Sequence, residues 1–206
     1  MSDQQRRRGA YAKGVAKREE ILQRALEVIA REGYRGASVK EIAEAVGLSQ
    51  AGLLHYFDSK EELFTEILRK RDELDAAQFS ARPHTEMELP ELRESYLRLV
   101  RHNAEVPGLV QLFARMSVDA VEPEHPAHPY FLERSRMLHE TFAAALEREQ
   151  AAGRLTRRID PATLARIVHA VADGMQVQWM LDPDVDMAAT IDALFEALTP
   201  GREETP

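Results

Sequence analysis

Three helix-start signals crowd into residues 38–62, and they constrain this chain more than any other feature. Ser38 precedes Glu41 by three residues and Ser59 precedes Glu62 by three. Each pair has the spacing of a capping box, in which the serine hydroxyl and the carboxylate satisfy opposite sides of a helix's first turn. Ser49 stands between them as a third N-cap, just after Gly47, which supplies a turn. A helix cannot run long where the next start arrives so soon. The spacing predicts two short helices joined by a glycine turn, a helix-turn-helix, with a longer helix beginning at Ser59. Ile42 and Ala43 are inward positions of the first helix, and Leu53 and Phe57, four apart, form the buried face of the second. Leu48 lies just ahead of the Ser49 cap, in position to pack inward. Side chains separate by about 100° per residue on a helix. Burying Leu53 and Phe57 therefore turns Gln50, Ala51, Leu54 and His55 outward or partly so.

The rest of the chain repeats the helical period. Ile21, Ala25, Val28 and Ile29 form a stripe that ends at Gly33. Leu63, Phe64, Ile67, Leu68 and Leu74 mark the helix after Ser59, and residues 80–90 read as a connection. Leu92, Tyr96, Leu99 and Val100 form the next stripe. Pro107 suits the first turn of a further helix carrying Leu109, Leu112, Phe113 and Met116. Residues 122–129 are a proline-rich loop. A long helix then runs through Phe131, Leu138, Phe142 and Leu146 to Gly153. Asp160-Pro161 is an N-cap followed by a proline at the first helical position, and a last stripe runs from Met187 to Leu198. No segment alternates as a strand does, so the expected fold class is all-α.

Charge divides the chain. Residues 1–71 hold 14 Lys and Arg against 11 Asp and Glu, whereas residues 72–206 hold 13 against 24. The N-terminal excess is concentrated in Arg6, Arg7, Arg8, Lys13, Lys17 and Arg18. The asymmetry suggests a small part that meets a polyanion and a larger part that does not; a solvated tail is the other reading of the basic run. The absence of cysteine excludes disulfides, thiolate nucleophiles and cysteine-based zinc sites, and fits a reducing cytoplasm. No stretch reaches the length of a membrane span, and the charged N-terminus lacks the apolar core of a secretory signal. Neither a glycine-rich phosphate loop, a G-x-S-x-G elbow nor an H-E-x-x-H pair is present, so an enzyme is not expected.

The outward residues of the second short helix have chemistry suited to a DNA major groove. Gln50 can pair with adenine N6 and N7, and Ala51 or Leu54 can touch a thymine methyl. The small Ala51 and Gly52 permit close approach to base edges. Tyr56 and Lys60 can bond phosphates, and the helix starts at Ser38 and Ser59 present backbone N–H groups. A helical hairpin without DNA contacts remains the alternative on shape alone. The run REEILQRALEVIAREGYRGASVKEIAEAVGLSQAGLLHYFDSKEELF, residues 18–64, resembles the tetracycline-repressor (TetR) family of bacterial transcription regulators. GLSQAGLLHYFDSKEEL is its most specific part. The resemblance places Gln50, Ala51, Leu54 and His55 on base-facing or groove-facing positions of a recognition helix capped by Ser49. It places Ser38, Tyr56 and Lys60 on phosphate-contact positions, with Lys40 near one. Ala51, Gly52 and Leu54 depart from the glycine, Thr or Ser, and tyrosine frequent there, which bears on the operator sequence.

The same resemblance implies a DNA-binding domain (18–64) and an effector-binding and dimerisation domain (65–200); the charge run and the polar end read as a basic flexible arm (1–17) and a disordered tail (201–206). The helix from Ser59 is then expected to be the sole covalent link between head and body. Residues 164–181 are apolar on too many faces to cover a monomer, which independently favours a four-helix dimer interface with the stripe from Met187 to Leu198. Asp173-Gly174 resembles a recurrent family feature, Asp173 being an interface or helix-end partner or else a ligand contact. Tyr96, Tyr130, Phe131 and Met137 are adaptable or aromatic residues of either core or pocket. Phe113, Met116, Met175 and Trp179 are the first candidates to line an effector site. His102, His139 and His169 are hydrogen-bonding partners for an effector or ordinary core and surface residues. His125 and His128, beside Glu122 and Glu124, make a metal site or, more simply, a solvated turn; no metal or cofactor is expected. The expectation is a homodimeric repressor released from a palindromic double-stranded operator by a small organic molecule, apolar or aromatic. An activator of the same fold, or a helical small-molecule binder without DNA function, are the alternatives.

Overall fold

The computed structural model describes the backbone of residues 3–79 and 83–199 and the side chains of residues 12–79 and 83–199. Among the described residues the regular elements are all helical. They are α1 (Asp3–Gly36), α2 (Val39–Ala45), α3 (Gln50–Leu53), α4 (Lys60–Phe79), a 3-10 turn (His84–Glu86), α5 (Leu89–Glu105), α6 (Pro107–Asp119), α7 (His128–Ala151), α8 (Pro161–Leu181) and α9 (Met187–Ala197). The all-α class expected from the periodicity is thus the one observed. α1 is helical back to Asp3, through the segment read as an arm. The side chains of Arg6, Arg7 and Arg8 and the tail at 201–206 lie outside the described residues.

The chain forms two compact units, one from Met1–Leu74 with Val106–His128 and the other from Asp75–Glu105 with Pro129–Pro206. It passes between them at three places, so α4 is not the sole covalent link. The reason lies in α6, which packs on α1. Gly108 in its first turn approaches α1 so closely that a Cβ there would sit 2.3 Å from the Ile29 carbonyl oxygen and 2.8 Å from Gly33 Cα. Gly33 itself has φ of 73°, a left-handed conformation that breaks α1 at that contact. From α4, buried Arg71 donates from Nη1 to the Leu109 carbonyl (3.5 Å) and lies 5.6 Å from the centre of the Phe113 ring. Ile21, Ala25 and Ile29 of α1, Ile42 of α2, Leu53 of α3, Leu63, Ile67 and Leu68 of α4, and Val110 and Leu112 of α6 have no exposed surface.

In the second unit, apolar faces of α5, α7, α8 and α9 share one core. Leu92, Leu97 and Val100 come from α5, Phe142 and Leu146 from α7, Leu164, Val168 and Met175 from α8, and Ile191 and Phe195 from α9. The Phe142 ring meets Tyr96 edge-on at 5.3 Å and stacks on Phe195 at 6.0 Å. α5 starts at Leu89, inside the segment read as a connection. Pro90 falls in its first turn, where a missing N–H leaves no intrahelical bond unmade. Between α7 and α8, Gln150 Nε2 donates to the Thr156 and Ile159 carbonyls at 2.6 and 2.8 Å. Asp160 then caps α8 by accepting the Thr163 N–H at 2.9 Å.

Candidate nucleic-acid interface

The local devices read from the sequence are present atom by atom. Ser38 Oγ accepts the Glu41 N–H (3.4 Å) while the Glu41 carboxylate accepts the Ser38 N–H (3.1 Å), a complete capping box at the start of α2. After α2, Gly47 has φ of 68°, which an L side chain rarely adopts, and the chain reverses there. Ser49 Oγ then accepts the Gly52 N–H at 3.0 Å and opens α3. The box at Ser59 differs in its second half. Ser59 Oγ accepts the Glu62 N–H at 3.0 Å, but the Glu62 carboxylate accepts the N–H of Asp58, one residue earlier than the pattern specifies.

α3 is also shorter than expected. It covers Gln50–Leu53, so His55, Tyr56 and Phe57 follow it in a turn. Leu53 and Phe57 are nonetheless buried, at 0% and 2% exposure. The turn that follows is held from α1. Arg18 donates to the Tyr56 carbonyl, and its guanidinium lies 4.3 Å from the centre of the Phe57 ring. The same guanidinium reaches Glu62 at 2.8 Å and Glu66 at 3.4 Å. Burial disfavours ionisation of Glu62, yet the hydrogen bonds from Arg18 and the Asp58 N–H outweigh it and hold the carboxyl below its ordinary value. Arg18, grouped with the basic run in the sequence, is therefore a clamp on the turn after α3. Lys17 likewise serves the fold, donating to Glu20 (2.9 Å) and the Val46 carbonyl (3.2 Å). Nothing in the local sequence marks either role, since both partnerships outside α1 are tertiary.

On this frame Gln50, Ala51, Leu54 and His55 are exposed and follow i, i+1, i+4 and i+5, one side of α3 and its continuation. Ser38, Lys40, Ser49 and Lys60 are exposed too, whereas Gly52 and Tyr56 are partly buried. Lys40 has only a loose ion pair with Glu44 at 3.9 Å, and Lys60 lies 5.6 Å from the centre of the Phe64 ring. The structure thus gathers the ten candidates on α2, α3 and the start of α4, within one unit. Their donors and small side chains are available to an external partner.

The effector candidates are distributed differently. Phe113 and Met116 are buried on α6 in the first unit, Phe113 against Arg71. Met175 is buried on α8 in the second unit, and Trp179, one turn later, is partly buried against the same core. Two of the histidines considered for ligands are joined to each other. His169 Nδ1 is 2.9 Å from His139 Nε2, and His169 Nε2 is 3.2 Å from Asp173 Oδ2, so Asp173 is a partner for a histidine on its own helix. Desolvation first, then neighbouring His169 and Arg166, lowers the pKa of His139. His125 and His128 serve the loop itself: His125 Nδ1 accepts the Ala127 N–H (3.2 Å), and His128 Nδ1 bonds the Ala120 carbonyl (2.8 Å).

Comparison with known proteins converges on one family. Residues 21–67 match the model described as "Bacterial regulatory proteins, tetR family", and residues 126–201 match "BetI-type transcriptional repressor, C-terminal". Together the two matches span more than half of the chain. Over 181 residues the chain is 26% identical to the HTH-type transcriptional repressor AcnR of Corynebacterium diphtheriae, covering 87% of this chain and 90% of that protein. It is 42% identical over 55 residues to the HTH-type transcriptional regulator RutR of Escherichia coli K12, a match to 27% of this chain and 26% of RutR. A TetR family transcriptional regulator from Agrobacterium tumefaciens, solved by crystallography, has a TM-score of 0.66 at 26% identity over 91% of this chain and 100% of that one. With its capped helix-turn-helix followed by a helical body, the chain belongs to the tetR family of DNA-binding transcriptional regulators.

Proposed function

We propose that this regulator is a homodimeric repressor. It holds a palindromic operator through paired α3 helices and releases it when a small apolar or aromatic effector binds. In this reading residues 18–64 contact DNA and residues 65–200 provide effector binding and dimerisation, with α6 bracing the head. The protein acts in the cytoplasm and catalyses no reaction. The observation that carries the reading is the exposed set Gln50, Ala51, Leu54 and His55, held over the buried pair Leu53 and Phe57. The names of AcnR and of the matched C-terminal family, both repressors, favour repression. For the dimer, α8 carries a second apolar face opposite its core. Val177 and Leu181 are 49% and 83% exposed, and a Cβ on Gly174 would meet nothing within 4 Å, leaving room for a helix of a second copy.

Binding to DNA selected from a random pool, compared with binding to unselected DNA over a range of salt, tests the reading. Gln50→Ala is expected to relax preference at one base pair in each half-site, costing about 1–3 kcal/mol on the operator. Lys60→Ala is expected to weaken both DNAs alike and reduce the salt slope, because phosphates carry no sequence. Equal losses on operator and random DNA for Gln50→Ala would remove the base-reading role.

A further inference from the structure

A groove of about 360 Å³ opens in the second unit among α5 from Leu89 to Arg101, the end of α7 with its following loop, and the end of α9. That volume falls in the lower part of the range that admits small organic molecules. None of Phe113, Met116, Met175 and Trp179 lines it. Its apolar part includes Leu97, Leu155 and Phe195, each less than a tenth exposed. Its polar part holds three arginines and three carboxylates: Arg93, Arg101 and Arg154 with Glu94, Glu149 and Asp192.

The arginines differ in how they are engaged. Arg154 forms a two-pronged pair with Glu149, both contacts at 2.7 Å, and Glu149 is itself almost wholly buried. Arg93 donates from Nε to Asp192 at 2.6 Å and from Nη2 to Glu196 at 3.4 Å. Arg101 has neither arrangement. Its nearest carboxylate, Glu94, is 4.0 Å away, and it makes no hydrogen bond among the described residues. Arg93, Leu97 and Arg101 succeed one another at i, i+4 and i+8 along one face of α5, so the open guanidinium stands beside the apolar part of the groove.

We propose that this groove is a binding site for a small organic monocarboxylate, with the carboxylate on Arg101 and the apolar body against Leu97, Leu155 and Phe195. The charges select this class. A guanidinium matches a carboxylate with two parallel hydrogen bonds. A dianion would face three like-charged carboxylates on the same rim, and a cation would have to displace Arg93 or Arg154 from theirs. A neutral apolar molecule would leave Arg101 without a partner and cover it. The site is distinct from the DNA-contacting surface and is tested without DNA.

Isothermal titration calorimetry and thermal melting on the full chain, with hexanoate and phenylacetate as probes, decide the matter. Both acids are expected to bind saturably at millimolar concentration and to raise Tm. The corresponding amides, hexanamide and phenylacetamide, and inorganic phosphate are expected to bind about ten-fold or more weakly. Arg101→Gln alters an exposed side chain with no hydrogen bond to lose, so it is expected to fold normally and to lower affinity for both acids about ten-fold or more. No binding of either acid, equal binding of the amides, or phosphate binding as well as the acids would each overturn the proposal. So would unchanged affinity in Arg101→Gln, which would put the acids elsewhere.

Discussion

Arg18 shows how far one side chain can set the geometry of the helix-turn-helix. It joins the Tyr56 carbonyl, the Phe57 ring and the carboxylates of Glu62 and Glu66, so a residue on α1 ties the turn after α3 to the beginning of α4. Arg18→Met keeps an apolar stem over Phe57 but removes the donors. With both partners about one-third exposed, the expected loss is about 1–2 kcal/mol, read as a lower urea midpoint. The acid side of the stability profile provides a second readout. Because the folded pKa of Glu62 lies below its ordinary value, its contribution is fully present above the unfolded pKa and disappears as pH falls through the folded one. Arg18→Met should therefore lose less stability than the wild type over that acid window. An identical acid profile in the two proteins would show that the pair does not couple to folding. Charge patterning in the sequence groups Arg18 with its basic neighbours because composition is local, whereas its acidic partner stands 44 residues away.

Elements inherit this division between local and distant causes. The starts of α2, α3, α4 and α8 were legible because a cap is a contact between residues three apart. The turn after α3 was not, because the guanidinium that holds it comes from another helix. Nor was the membership of α6 in the head, which depends on an absent side chain. Gly108 reads in the sequence as a small residue after Pro107, yet its missing Cβ is what lets α6 touch α1 at Ile29, Gly33 and Tyr34. All three obstructing atoms belong to backbone, so no rotamer change can make room. Gly108→Ala should force α6 away from α1 and cost at least about 1–3 kcal/mol, with a Tm several degrees lower. A variant melting with the wild type would mean that the two helices are free to separate at no cost. The histidine chain shows the same limit: His139 and His169 are 30 residues apart in sequence, and no spacing rule joins them.

For the whole molecule, α8 decides whether the proposed dimer forms. Its inner face serves the core and its outer face presents Val177 and Leu181. Val177→Glu changes an exposed position, so the monomer is expected to fold, while a buried charge would oppose association. Sedimentation at micromolar concentration should find the wild type dimeric and the variant monomeric, with operator affinity greatly reduced. A monomeric wild type would remove the paired-helix mechanism. The all-α class was legible, because helical period is a property of whole segments. The path of the chain was not. Its three passages between units have a consequence for how such a protein can be rebuilt by recombination. A fragment ending after Leu74 carries the proposed reading surface but lacks α6, whose Val110 and Leu112 have no exposed surface. One crossover at that point joins a borrowed head to a foreign bracing helix that must also avoid the Ile29–Tyr34 backbone. New specificity is therefore reached more readily by changing side chains on α3 than by exchanging the head as a cassette.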